Sequence, residues 1–387
     1  MKTVPIGKVT TPIAKWNPGR KPDVQITYID LSSINQSEKR VSAPSILLGR
    51  DAPSRARQLV AQGDVLVSTV RPNLNAVARV NEDLDGATAS TGFTVLRPTR
   101  EIDSNYLFHW VRTSNFVESM VRSATGASYP AVSDRIVKAS LVPLPSLPDQ
   151  RRIAMILDQA DALCAKRRTQ LTHLDALPQA IFHEMFAHTD ASDILGEHLQ
   201  AIETGISLSC EARGAASGEW GILKLSAVTH GIFRAEENKA FLGDPAQLRR
   251  AEVHRDDILM TRKNTPELVG HVALVQEEVT HLALPDLVFR LRLRDTLDPF
   301  YFQTLMMSPH MRRAVRKIAG GAAASMSNIS GARLRTLPIA VADITKQRGF
   351  AKTCEGIRTQ RDAVAIGVRQ ADALFSSLQS RAFRGEL

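Results

Sequence analysis

The sequence predicts an α+β chain made of two tandem mixed α/β domains, each followed by a long α-helix. Three observations lead there. The stretch LDALPQAIFHEMF near the middle is echoed by ADALFSSLQSRAF at the end, so Asp175, Leu177 and Phe186 answer Asp372, Leu374 and Phe383 at a constant offset of 197 residues (383 − 186). A period of about half the 387 residues is too long for a solenoid repeat and indicates a duplicated domain with its connector. Apolar residues recur at heptad spacing through both echoed segments, and short apolar runs of strand type fill the sequence ahead of each. A chain this long usually holds two cores. The repeat sets their limits: a domain over 1–145, a helix over 146–188, a second domain over 189–342 and a second helix over 343–387.

Within the domains the runs correspond in order. YIDLSSI from Tyr28 matches ILKLSAV from Ile222, and GDVLVST from Gly63 matches DDILMTR from Asp256. AVARV from Ala76 matches HVALV from His271, and FTVLRP from Phe93 matches VFRLRL from Val288. Bounded by Gly, Asp and Asn, these runs read as β-strands. Their offset drifts between 193 (256 − 63) and 195 (288 − 93), so the domains have diverged more than the helices. Each domain then turns helical behind a capping aspartate, Asp103 or Asp298, with Pro299 at a first helical position where its missing donor costs nothing. The apolar series that follow are Leu107, Trp110, Val111, Val117, Met120, Val121 and Phe302, Leu305, Met306, Met311, Val315.

The first long helix follows the proline-rich junction VPLPSLPDQ and carries the seam Ile153, Leu157, Ala160, Cys164, Arg167, Leu171, Leu174, Pro178, Ile181, Met185. The second carries Phe350, Cys354, Ile357, Arg361, Val364, Val368, Ala371, Phe375, Leu378, Ala382. Each is a heptad stripe with one arginine in it. A helix from Gln150 to Phe186 is roughly 55 Å long at 1.5 Å per residue. A stripe of that length needs a partner, and the other copy is the nearest candidate. Arg167 and Arg361 either fix the alignment of the pair, admit carboxylates from another subunit, or, as the simplest reading, lay their stems over the seam with their heads in water. Pro178 removes a backbone donor and predicts a kink or an early end to the first helix.

With 43% hydrophobic and 23% charged residues the chain is of ordinary globular composition. A formal charge of +9 suits a polyanion such as nucleic acid, although many basic proteins bind nothing acidic. The start shows no signal-peptide run and no segment is long enough to span a bilayer, which predicts a cytoplasmic protein without membrane partners. Cys164, Cys210 and Cys354 fit neither a disulfide framework nor a zinc spacing and read as structural.

Much chemistry is missing. No GxxxxGK[ST] phosphate loop, no [DNS]-Pro-Pro-[YF] methyltransferase stretch and no glycine-rich cofactor turn occurs, so neither ATP hydrolysis nor methyl transfer by this chain alone is expected, nor a cofactor, while a nuclease site of scattered acidic residues would leave no such signature. His183 and His188 around Glu184 form the one suggestive histidine grouping and read as surface residues, so no metal is expected. Groups able to read bases follow equivalent strands: Arg71, Asn73 and Asn75 in the first copy, and Arg262, Lys263 and Asn264 in the second. Arginine pairs two donors with guanine and asparagine pairs with adenine; a solvated polar turn is the alternative. A second pair of loops, GASYPAVS with Ser128 and Tyr129, and GAAASMSNIS with Ser325 and Asn328, can approach phosphates or bases or simply turn the chain. Lys39, Arg40, Arg55 and Arg57 add charge that would position DNA without specifying it.

The ordered set of GDVLVSTVRPN, the GASYPAVS loop and VPLPSLPDQRRIAMILDQAD, with a weaker second junction in ARLRTLPIAVADITKQRGFA, resembles the specificity subunit of type I restriction-modification systems over essentially the whole chain. The second junction departs from the pattern, keeping only Pro338 and placing Gly349 where Arg152 has its counterpart. The resemblance implies two target recognition domains, each reading one half of a bipartite double-stranded DNA site, on an antiparallel coiled coil with pseudo-twofold symmetry. It implies no catalysis by this chain, docking of two DNA adenine methyltransferase subunits on the helices, and later addition of ATP-dependent restriction subunits in phage defence. The helix-pairing set would be Ile153, Leu157, Leu171, Leu174 and Ile181 with Phe350, Ile357, Val364, Val368 and Leu378. A non-enzymatic coiled-coil scaffold and an autonomous nuclease with scattered carboxylates are the competing readings.

Overall fold

The structure, a computed structural model, describes residues 2–126, 128–189, 191, 193–320 and 326–387. Two compact units compose it, one of Met1–Gln170 with Val364–Leu387 and the other of Leu171–Ala363. Each unit thus holds one mixed α/β domain, the opening turns of one long helix and the closing turns of the other.

In the first unit the buried strand Val65–Ser68 lies between Phe93–Pro98 and Val77–Arg79, antiparallel to both, with Thr10–Thr11 on the outer side of Phe93–Pro98. A second sheet orders Ser45–Leu48, Gln25–Ile29, Thr88–Ser90 and Ala56–Leu59, its middle pair parallel. The second unit repeats this plan. Ile258–Thr261 lies between Val288–Leu293 and Val272–Leu274, with Leu199–Thr204 outside, and Trp220–Leu223 runs parallel to Leu282–Ala283. The runs beginning at Tyr28 and Ile222 are strands only at their start. Asp30 accepts from the Ser32 and Ser33 amides and turns its run into the short 3-10 helix Leu31–Ser33; Leu225–Ala227 does the same in the second copy.

A charged lock repeats between the central strands. Asp64 is 1% exposed and takes Arg97 at 2.7 Å; its counterpart Asp257, also 1% exposed, takes Arg292 at 2.7 Å and Arg290 at 3.0 Å. Buried carboxylates are tolerable only when paired in this way.

The capping aspartates behave alike. Asp103 accepts from the Asn105 and Tyr106 amides, and Asp298 from those of Phe300 and Tyr301. The apolar series behind each divides into two short helices, because Thr113 and Ser308 cap a fresh start: Ser104–Trp110 then Ser114–Ser123, and Pro299–Met307 then Pro309–Ile318.

The long helices run Leu147–Phe186 and Ile344–Arg384. A fully buried glutamine joins the first turn of each to its domain. Gln150 accepts from the Asp103 amide at 2.8 Å and donates to the Glu101 and Pro145 carbonyls. Gln347 accepts from the Asp298 amide at 2.8 Å and donates to Thr296 and Ala342. Tyr106 and Tyr301 complete the joint by donating to the Pro143 and Ala340 carbonyls.

The helices pair antiparallel inside each unit. In the first, Arg152 reaches the Leu387 carbonyl at 2.8 Å and Arg168 pairs with Asp372; in the second, Asp175 pairs with Arg361 at 2.8 Å and Phe182 stacks edge-on to Phe350. The repeated aspartates of the Asp-Ala-Leu echo therefore each hold an arginine of the facing helix. Phe383 packs on Tyr106 and Trp110 in the first unit as Phe186 packs on Tyr301 in the second.

Of the helix-pairing set, Ile153, Leu157 and Phe350 are buried, while Leu171, Leu174, Ile181, Ile357, Val364, Val368 and Leu378 are half-buried. Where only two helices face each other one side of a seam stays near water. Met185 lies 47% exposed, and Phe182 and Phe186 take the buried places. Two readings need correction. The first helix does not end early at Pro178: it continues through it to Phe186, its last turns anchored by Phe182 and Phe186 in the second unit's core and by Gln179 donating to the Thr304 carbonyl at 2.8 Å. The head of Arg361 is also not left to water, since Asp175 and Asp362 take it.

Candidate nucleic-acid interface

The first candidate loop leaves the end of the strand Val65–Ser68. Arg71 and Asn75 both adopt left-handed backbone (φ +50° and +46°) around the short turn Pro72–Leu74. Asparagine tolerates this conformation, but for arginine it is uncommon and is held here by neighbours. The Arg71 amide donates to the Pro130 carbonyl at 2.7 Å, and the Val132 amide to Thr69 at 2.8 Å. Those bonds bring the loop around Arg71 against the loop around Ser128 and Tyr129. The Arg71 guanidinium lies 5.0 Å from the centre of the Tyr129 ring, and Tyr129 is 69% exposed. Asn73 and Ser128 are exposed beside them. An exposed cation on an exposed aromatic face, flanked by a free amide and hydroxyl, offers charge, stacking and hydrogen bonding to one ligand.

Asn75 has another task. Its Nδ2 donates to the Arg112 carbonyl, and its own carbonyl accepts from Lys39 Nζ at 2.7 Å. Burial and the Arg112 charge push the Lys39 amine down to about 8. Arg112 in turn makes two bonds to Asp161 on the first long helix, at 2.7 and 2.8 Å, and lies over the Phe108 and Phe375 rings. Desolvation raises the Asp161 carboxyl, but the Arg112 bonds and charge outweigh it and hold the group below the usual range. The base of the loop is thus tied to the helix pair. Arg112 is a supporting residue with no local motif, revealed only by its partners, and Lys39, expected as a DNA-positioning charge, is held at the base of the loop instead. Of the other basic residues, Arg40 is paired with Glu38, Arg57 donates to the Ala56 carbonyl and Arg55 is exposed.

The second unit brings its loops together at the same place. After the strand Ile258–Thr261, Lys263–Asn264 pairs antiparallel with Ser327–Asn328, and the Ile329 amide donates to the Arg262 carbonyl. Lys263 and Asn328 are half-buried and adjacent in this ribbon. Arg262 lies over the Phe289 ring at 5.1 Å. Asn264 is only 8% exposed, and its Oδ1 accepts from the Thr265 amide, so this side chain shapes the turn more than it faces outward. Ser325 lies outside the described residues. Beneath the ribbon, buried Arg312 donates to the Glu267 and Val269 carbonyls. Burial and the nearby Arg316 charge push its guanidinium down to about 10. His271 accepts from the His230 amide and is pushed down to about 4 by burial, with Arg312 and His230 contributing.

Among the described residues no helix is long and apolar enough to cross a membrane. All three cysteines are free, Cys164 and Cys354 buried, and burial pushes the Cys354 thiol up to about 11.

The chain is similar to known proteins in sequence and in fold. The family model for the type I restriction modification DNA specificity domain matches residues 20–173. The specificity subunit of the type I restriction enzyme EcoKI from Escherichia coli K12 is 24% identical over 321 residues, covering 76% of this chain and 68% of that protein. The EcoEI specificity subunit from Escherichia coli is 28% identical over 190 residues, 46% of this chain and 32% of that one. A solved chain from a study of complex assembly and conformational transition of the type I R-M system covers 100% of this chain and 98% of its own length, with a TM-score of 0.63 and 24% identity. That likeness is one of fold.

Proposed function

We propose that the chain is a specificity subunit of a type I restriction-modification system, a reading supported by its likeness to the specificity-domain model over residues 20–173 and to the EcoKI specificity subunit, and that it reads a bipartite double-stranded DNA site, one half per domain, and directs methylation and restriction by partner subunits. In this reading the chain contributes recognition and no catalysis. DNA adenine methyltransferase subunits, two per chain, engage the helix pair, and ATP-dependent restriction subunits join them in the cytoplasm.

The observation that carries the reading is a repeated juxtaposition. In both units the loop after the buried central strand is hydrogen-bonded to the loop that precedes the junction with the long helix, through Arg71 and Pro130 in one and Lys263 and Asn328 in the other. Two readers of one design with different side chains suit two half-sites of different sequence. Basic residues on the surface would supply phosphate contacts and most of the affinity, and Arg71, Asn73, Ser128, Tyr129, Lys263 and Asn328 the discrimination. Asn75, Arg262 and Asn264 shape those loops.

Co-expression with the modification subunits followed by mapping of methylated adenines tests this. The expected motif has two specified parts with unspecified bases between them. A continuous motif, or methylation without sequence preference, contradicts it.

A further inference from the structure

The strand Asp193–Ile194 pairs with Pro338–Ile339, and the 3-10 turn Leu195–His198 carries the chain from it into Leu199–Thr204. Strand and turn place Asp193, Glu197 and His198 so that one ligand atom from each lies within 4.8 Å of the others. His198 is 9% exposed. Its Nδ1 meets Thr296 Oγ1 at 2.8 Å, while Nε2 is buried without a hydrogen-bond partner and stands 3.9 Å from Asp193 Oδ2. That separation is too long for a hydrogen bond. If Nδ1 carries the hydrogen and donates it to the threonine, Nε2 turns a lone pair toward carboxylate oxygens, an unfavourable encounter until a cation stands between them. An imidazole whose remote N–H is held by an oxygen is also the usual form of a metal-binding histidine.

The duplication supplies an internal comparison. In the first unit the same turn is Ile6–Lys8. The Ile6 amide donates to the Ser140 carbonyl as Leu195 does to Leu337, and Val9 accepts from the Thr99 amide as His198 does from Arg294. Lys8 therefore stands where Glu197 does, and Val9, 1% exposed, where His198 does. The fold is satisfied by an aliphatic residue at that position. A buried histidine with an unpartnered nitrogen beside two carboxylates is an addition of the second copy.

We propose that Asp193, Glu197 and His198 bind a divalent transition-metal ion of the zinc class, which clips the entry strand of the second domain. One imidazole nitrogen and two carboxylate oxygens suit zinc, cobalt or nickel, whereas magnesium and calcium favour oxygen alone. Ligand atoms about 2.1 Å from a tetrahedral ion lie about 3.4 Å apart, so small side-chain rotations close the set, with water in the fourth position. The inference is independent of the DNA-reading assignment.

The test uses the full chain without a histidine tag, stripped with EDTA and titrated with Co(II). The expected result is saturable uptake with visible d–d absorption, displacement by Zn(II), a raised melting temperature and no change with Mg(II). His198→Val installs the first copy's residue and should abolish the absorption. Glu197→Gln, at an exposed position, should weaken Co(II) binding by about tenfold or more while the metal-free melting temperature holds. Failure of the wild-type chain to saturate below roughly 1 mM Co(II), or equal binding by wild type and both variants, overturns the proposal. If His198→Val does not fold, Glu197→Gln alone decides.

Discussion

At the scale of single residues, side chains that the sequence presents as equals separate by what they already hold. Arg71 and Tyr129 are exposed and engage each other, whereas Asn75 spends its amide on the Arg112 carbonyl and Asn264 caps its own turn. Residue type and position after a strand were enough to find the loops. They could not tell which side-chain amides the protein's own backbone takes up: the Arg112 partner of Asn75 lies far along the chain, and the contact of Asn264 with the adjacent Thr265 depends on how the turn folds. Arg71→Ala should leave the melting temperature unchanged and cost about 1–3 kcal/mol of discrimination in one half-site, read from a binding titration on specific against scrambled DNA. Asp257→Ala removes the buried carboxylate that Arg290 and Arg292 share and leaves Glu203 as their remaining acidic partner. It should destabilise the second unit by about 3 kcal/mol or more in denaturant unfolding. His271 carries a pH signature. Its folded value of about 4 lies below the unfolded value near 6.5, so between those limits the unfolded chain binds more protons and stability falls as pH falls. Between pH 7 and 5 the unfolding midpoint should drop further in the wild type than in His271→Gln.

At the scale of elements, the duplication and the heptads located the strands and long helices, since periodicity and local capping are properties of neighbouring residues. The breaks at Thr113 and Ser308 were less visible, because a threonine or serine inside an apolar series reads as an ordinary helical residue until its hydroxyl is seen to cap. At Pro178 an early end was one of two expected outcomes: its local penalty is real, but the tertiary anchors beyond it keep the helix going. The glutamine joints at Gln150 and Gln347 left only one trace in sequence, their shared 197-residue offset. Gln150→Leu leaves the Asp103 amide and two carbonyls without partners. It should cost on the order of 3 kcal/mol, measured by chemical denaturation, and Gln347→Leu should cost a similar amount in the other unit.

At the scale of the whole molecule, the chain is one design used twice, with each compact unit closed by the beginning of one helix and the end of the other. Tyr106 with Phe383 and Tyr301 with Phe186 mark the two closures. The constant offset along the helices against the drifting offset in the domains is what a fixed spacer between independent readers would leave in sequence. On that account, deleting one turn of about four residues from the facing middle segments of both helices shortens the unread spacer and keeps both half-sites. Mapping of methylated bases checks the outcome. The most direct measurement exchanges residues 1–145 for the corresponding domain of a relative with a different specificity and maps methylated adenines after co-expression with the modification subunits. The account predicts that one half of the motif changes while the other half and the spacer stay as they were; a change in both halves, or in neither, contradicts it.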